Sequence, residues 1–225
     1  MKPIAHIRTD FKTKFGIPRQ AGVVPDTRGE IVFLPAYRNP DALRGLDGFS
    51  HLWLLWEFSE AKREKWSPTV RPPRLGGNLR MGVFATRSPY RPNPIGLSAV
   101  QLEEIRLDDP RGPVLVVRGA DLLDGTPIYD IKPYLAYTDA HPEATDGFAG
   151  SVRADTLEVV FPEPLLCRLP ESAWGTVKAL LAEDPRPHYQ KDEDRVYGMP
   201  YGGADIRFRV KDKTLTVCDV LPLDL

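Results

Sequence analysis

The residues best suited to chemistry are five arginines, Arg71, Arg74, Arg80, Arg87 and Arg91, in a run over 70–98 that also carries Pro72, Pro73, Pro89, Pro92 and Pro94. Proline fixes φ and removes a backbone donor, so most of this run can be neither a regular helix nor a central strand. It reads as stiff, extended turns that hold guanidinium groups in place. A guanidinium binds carboxylate or phosphate bidentately and stacks on π faces, so a rigid array of them suits a planar or anionic ligand. The plainer reading of the same spacing is a Pro-rich surface connection whose arginines confer solubility. Charge distribution favours a site. Eight Lys and Arg fall within 62–91 against one acid, Glu64, whereas the whole chain has 30 Lys and Arg, 31 Asp and Glu and a net charge of −1. A local positive field serves a phosphate-bearing or nucleic-acid partner without a high pI.

Three further segments carry reactive or ligating side chains. Lys14-Phe15-Gly16-Ile17-Pro18-Arg19-Gln20 sets a cation and an amide just after a stiffening proline, or simply turns into the next strand. Residues 121–134 gather Asp124, Thr126, Asp130, Lys132 and Tyr134 around the tight-turn signal Asp124-Gly125. As a plain hairpin, this segment has a solvated tip that Asp124 merely holds together; as a site, it exposes a turn carboxylate at Asp124 that contributes little to stability. Asp184-Pro185-Arg186-Pro187-His188-Tyr189 pairs a cation with two rings, which suits base stacking or phosphate binding and equally stops a helix. No dinucleotide fingerprint, P-loop, nucleophile elbow or H-E-x-x-H helix is present. His6, His51, His141 and His188 lack metal-ligand spacing, so no metal is expected. Cys167 and Cys218 read as small buried hydrophobes in a reducing compartment.

These groups must be positioned by short elements. Alternating, β-branched or aromatic segments at 4–8, 30–34, 51–58, 79–86, 95–105, 114–118 and 128–131 read as strands, with a helical turn at 41–46. The long helices that a parallel sheet needs between strands are missing. The fold expected is mainly β: an antiparallel β-barrel over 1–138, then a linker over 139–150, then a small α+β C-terminal domain over 151–225. That second domain has one helix at 171–182, with Ala173, Trp174, Val177, Leu180 and Leu181 on one face, and strands at 206–210 and 215–221. The 225 residues suffice for a sizeable core. Leu52-Trp53-Leu54-Leu55-Trp56, the longest apolar run, is far short of a membrane span, and the first residues lack a signal-peptide block. A cytoplasmic protein without membrane contact is expected.

Pro18-Arg19-Gln20, Phe49-Ser50-His51-Leu52-Trp53, the 70–98 run, Asp124-Gly125-Thr126-Pro127 and Asp130-Ile131-Lys132-Pro133-Tyr134 resemble the TsaA-like, or TrmO, family of S-adenosylmethionine-dependent tRNA methyltransferases. Asp184-Pro185-Arg186-Pro187 with Tyr189 is similar to the signature of that family's C-terminal domain. The resemblance implies a homodimeric β-barrel enzyme that methylates N6 of threonylcarbamoyl-adenosine, 3′ of the anticodon. It implies S-adenosylmethionine contacts from Arg19, Gln20, Ala21, Ser59, Glu60, Arg87, Leu97, Asp124, Gly125, Thr126 and Pro127. The family pattern has His-Gln where this chain has Ser59-Glu60, and Pro where it has Ala21. With a tRNA anticodon stem-loop as partner, Arg71, Arg74, Arg91, Arg186 and Tyr189 are the expected RNA contacts, the last two from a tRNA-contacting C-terminal domain.

The chemistry then has two demands. An exocyclic adenine amine is a poor nucleophile, so it must be held in line with the sulfonium methyl and must lose a proton as the bond forms. Asp130, in an Asp-Ile-Lys-Pro-Tyr segment similar to the acidic Pro-Tyr motifs of other N6-adenine methyltransferases, is the expected catalytic residue together with Tyr134. A base splayed from the single-stranded loop would stack on Tyr90 or Tyr134. Two alternatives use the same residues: a non-catalytic β-barrel RNA- or nucleotide-binding module, and a hydrolase with Asp124 and Asp130 as its acid/base pair.

Overall fold

In His51-Leu52-Trp53-Leu54-Leu55-Trp56-Glu57, every second side chain, Leu52, Leu54 and Trp56, is buried. That period of two is what a strand with one face on a core requires. The computed structural model describes residues 1–60, 66–72, 79–151, 156–186 and 192–223. Its strands are β1 (Ala5–Thr9), β2 (Arg28–Phe33), β3 (His51–Glu57), β4 (Thr69–Val70), β5 (Met81–Gly82), β6 (Ile95–Arg106), β7 (Val114–Arg118), β8 (Pro127–Pro133), β9 (Glu158–Val160), β10 (Tyr197–Tyr201), β11 (Ala204–Lys211) and β12 (Thr214–Pro222).

Six of them close into a barrel in the order β1-β2-β7-β6-β3-β8. Every neighbouring pair is antiparallel, and the ring is completed where Ala5 of β1 faces Ile128 of β8. Closure leaves no barrel edge unpaired. Ile7, Ile31, Leu52, Leu54, Val100, Leu115, Val117 and Ile128 fill the interior. The register of β8 against β3 slips at Leu55/Trp56, so Tyr129 is an extra residue on β8. Such a bulge re-aims a side chain locally.

The second unit is a four-stranded sheet, β10-β11-β12-β9, parallel only where β12 meets β9. The helix Trp174–Ala182, entered through a 3-10 turn at Glu171–Ala173 behind Pro170, buries Val177, Leu180 and Leu181 against it. Phe11 and Val24, from the stretch between β1 and β2, are buried in this second core beside Met199, Ile206 and Phe208, and Phe15 and Ile17 pack on it. Residues 10–27 therefore leave the barrel, cross to the C-terminal sheet and return. At Gly16, φ is +89° and a Cβ would lie 2.7 Å from Met199 Cγ, so only glycine permits both the turn and this approach.

Several expectations are corrected. The strand expected over 79–86 is limited to β5, paired with β4, and a 3-10 turn, Val83–Ala85, follows it. The helical turn expected at 41–46 is two 3-10 turns, Pro40–Leu43 and Leu46–Gly48. Both cysteines are exposed rather than buried. Cys218 sits between Val217 and Asp219 on the outward parity of β12, and Cys167 caps the short helix Glu163–Leu166.

Candidate active site

Trp56 is paired with Gly96 across β3 and β6, and a Cβ at position 96 would come within 2.2 Å of the indole. The missing side chain lets the Trp56 ring lie flat on the β6 backbone. Its Nε1 donates to Ser98 Oγ at 3.0 Å, and the Ser98 hydroxyl donates to Asp121 Oδ1 at 2.7 Å. This chain of donors crosses from β3 through β6 to the turn region beyond β7. Phe58 packs its ring on Trp56, centroids 4.2 Å apart.

Above this floor lies a cavity of about 770 Å³, within the range typical of small-molecule sites. Its walls are residues 14 and 17–21, Trp53 and the end of β3 with Phe58, Ser59 and Glu60, residues 86–87 and 89–91, the first half of β6, and Asp121, Leu123 and Thr126. Among the described residues, three carboxylates line it. Glu57 accepts a hydrogen bond from the Tyr129 hydroxyl, which the β8 bulge aims at it. That bond, then burial, push the Tyr129 phenol up to about 12, so it stays a donor near neutral pH. Glu60 pairs with Lys14 at 3.2 Å, and the same ammonium donates to the Glu60 carbonyl at 3.0 Å, tying the 14–21 segment to the end of β3. Asp121 is half-buried, and burial raises its pKa against the opposing pull of the Ser98 hydroxyl, its own amide, the Ala21 amide and the Arg87 charge. Arg87 in turn donates to Gln20 Oε1.

Of the expected cofactor contacts, Arg19, Gln20, Ala21, Ser59, Glu60, Arg87, Leu97 and Thr126 converge on this one cavity from five separate stretches of chain. Asp124, Gly125 and Pro127 flank Thr126 outside the lining. The expectation of a solvated Asp124 carboxylate is corrected: its side chain is 18% exposed, accepts from Thr9 N at 3.0 Å and Lys12 Nζ at 2.9 Å, and lies 3.8 Å from Arg8. Together with Gly125 N, which donates to Ile7 O at 2.8 Å, it fastens the turn to β1.

Asp130 and Tyr134 stand outside the lining. Asp130 pairs with Lys132 at 3.0 Å and accepts from Ile131 N. Asp124 likewise stands outside the lining, so neither carboxylate of the hydrolase alternative is presented to the cavity. Tyr134 packs on Trp53, centroids 5.4 Å apart, behind the cavity wall that Trp53 forms. Among the expected RNA contacts, Arg91 lines the cavity but spends Nη1 on the carbonyls of Thr86 (2.6 Å) and Val83 (3.2 Å). Arg71 is exposed beyond β4. Arg186 is only 14% exposed and doubly hydrogen-bonded to Asp184, so a neighbouring carboxylate already occupies its fork. Arg74 and Tyr189 lie outside the described residues.

Sequence reasoning missed Trp56, Glu57, Ser98 and Asp121. One signal was available: Gly96 and Ser98 share the core-facing parity of β6 with Val100, and a hydroxyl at such a position needs a partner. Among the described residues no group of three or more His, Cys, Asp or Glu is disposed to hold a metal ion.

Sequence comparison matches residues 6–140 to the tRNA-methyltransferase O N-terminal domain and residues 156–223 to the TrmO C-terminal domain. A tRNA (adenine(37)-N6)-methyltransferase of Escherichia coli (strain K12) is 42% identical over 228 residues, covering 97% of this chain and 96% of that protein. A shorter relative from Methanothermobacter thermautotrophicus, named "Probable S-adenosyl-L-methionine-binding protein", is 39% identical over 140 residues, covering 62% of this chain and 93% of its own length. Among solved structures, a crystal structure of TrmO from Pseudomonas aeruginosa superposes with a TM-score of 0.76 at 34% identity, covering 97% of this chain and 96% of that one.

Proposed function

The chain belongs to the tRNA-methyltransferase O family, and from that premise we propose that its cavity binds S-adenosylmethionine and methylates N6 of threonylcarbamoyl-adenosine 3′ of the anticodon. The observation that carries this reading is the meeting of Arg19, Gln20, Ala21, Ser59, Glu60, Arg87, Leu97 and Thr126 at one cavity of suitable size. The wall chemistry fits the donor. Arg19 and Arg87 suit its carboxylate, Glu57 and Glu60 its ammonium group, and the rings of Trp56, Phe58 and Tyr90 its adenine. When bound, S-adenosylmethionine supplies an electrophilic methyl group on a sulfonium.

The protein's own residues then have three tasks. The 14–21 segment, held to the end of β3 by Lys14 and Glu60, closes one side of the site and limits water. Arg87, steadied by Gln20 of that segment, places a fixed positive charge at the cavity wall. Trp53, backed by Tyr134 and hydrogen-bonded to Asp139 Oδ2 at 2.8 Å, offers a stiff aromatic surface to an incoming base.

The reading extends to assembly and location. The barrel, 1–138, would carry the reaction, and the C-terminal unit, 151–225, would hold tRNA. Leu97 (56% exposed) and Phe84 (71% exposed) leave apolar surface around the cavity, which a second copy in a symmetric homodimer would cover. Among the described residues no helix is long and apolar enough to cross a membrane. The cytoplasm, where tRNA resides, is the proposed location. The test is a tritiated-methyl assay on tRNA with and without prior threonylcarbamoylation, alongside a calorimetric titration of S-adenosylmethionine. Cofactor binding with methyl transfer confined to the threonylcarbamoylated tRNA is expected. Nucleotide binding without transfer to either tRNA would favour a non-catalytic module.

A further inference from the structure

We propose that Asp121 is the proton acceptor in methyl transfer, an assignment that rests on the function proposed above. Threonylcarbamoyl-adenosine carries a single hydrogen on N6, and that nitrogen's lone pair is shared with both the purine and the carbonyl. Attack on a methyl group therefore requires a base that removes the hydrogen as the bond forms. Among the described lining residues, three carboxylates compete for this role. Glu57 is engaged by Tyr129 and Glu60 by Lys14. Asp121 forms no ion pair within 4 Å among the described residues, and it lines the cavity bonded to Ser98, the hydroxyl that also receives the Trp56 indole N–H.

Its setting suits a base. The Trp56–Ser98 relay fixes the carboxylate through Oδ1, while a carboxylate has room for further hydrogen bonds. Burial outweighs the pull of Ser98, the Asp121 and Ala21 amides and Arg87, which leaves a more basic carboxylate than a solvated one. Arg87 is the charged group whose field reaches it. In the step, the N6 lone pair forms the nitrogen–carbon bond, and the carbon–sulfur bond breaks with its electron pair kept on sulfur. The N6 proton passes to Asp121, which later releases it to water.

The experiment compares wild type, Asp121→Asn and Ser98→Ala. Asparagine keeps the shape and the Ser98 contact but cannot take the proton. A fall in kcat of about a hundredfold or more is expected, with the Kd for S-adenosylmethionine and for tRNA changed by less than about threefold. Ser98→Ala removes a hydrogen bond that favours the charged form. In ligand-free protein with 13C-labelled aspartate, the Asp121 titration then moves to higher pH, and so does the acidic limb of kcat. Near-wild-type kcat in Asp121→Asn, or a loss of cofactor affinity that accounts for its lost turnover, would overturn the assignment. If Asp121→Asn does not fold, an unmoved acidic limb in Ser98→Ala overturns it instead. Wild type that transfers no methyl group refutes the functional reading itself, which separates the two failures.

Discussion

Asp124 shows how a residue in a binding motif can act by holding the motif in place. Burial alone would raise its pKa, yet the Lys12 ammonium, the Thr9 amide and the Arg8 charge together hold it below the ordinary carboxylate value. A depressed folded-state pKa means stability that is complete above the unfolded value and lost as pH falls through the folded one. Asp124→Ala, which strands the Thr9 amide, should cost about 1–3 kcal/mol near neutral pH. The difference from wild type should shrink below about pH 4 as the native carboxylate protonates. Thermal melts of both proteins across that range check the sign. Arg87 makes the contrasting case: it is exposed and contacts Gln20, so its removal leaves the fold intact. Arg87→Ala should lose about 1–3 kcal/mol of S-adenosylmethionine binding by calorimetry, with an unchanged melting temperature.

Elements set the site through close approach. The flat indole of Trp56 depends on Gly96, and Gly96→Ala should cost about 1–3 kcal/mol by urea denaturation, because the ring must move off β6. The same variant should weaken cofactor binding, since the displaced ring lines the cavity. Most barrel strands were legible because short segments rich in β-branched or aromatic residues, such as 51–57 and 114–118, are mostly bounded by Gly, Pro, Asn or Asp, although the continuous apolar run 52–56 hides which side chains face the core. β10 was not, because Gly198 and Pro200 demote Tyr197–Tyr201 as a strand. The sheet order resolves this: β10 is an edge strand, where proline is tolerated. β9, with three residues, is too short to show a period. The site was legible where contiguous motifs carry it, as at Arg19, Gln20 and Thr126. Asp121 was not, because its character comes from burial and from Ser98, 23 residues away in sequence.

At the scale of the whole molecule, residues 10–27 serve two cores at once. Phe11, 1% exposed, is attached to the barrel but packs among C-terminal residues, its ring 5.3 Å from that of Tyr201. Phe11→Ala should cost about 3–5 kcal/mol. Wild type should unfold in a single transition, seen together by far-ultraviolet circular dichroism and by tryptophan fluorescence; two separated transitions would show the cores to be independent. The contact of Gly16 with Met199 adds a consequence for ligand occupancy. The backbone that lines the cavity at 17–21 follows directly on the residue wedged against the C-terminal sheet. A ligand that steadies 17–21 must therefore steady Met199 as well, since linkage between two sites is reciprocal. Backbone amides of β10 and β11, none of which line the cavity, should exchange with deuterium more slowly as the cavity fills, a remote clock for events inside the barrel.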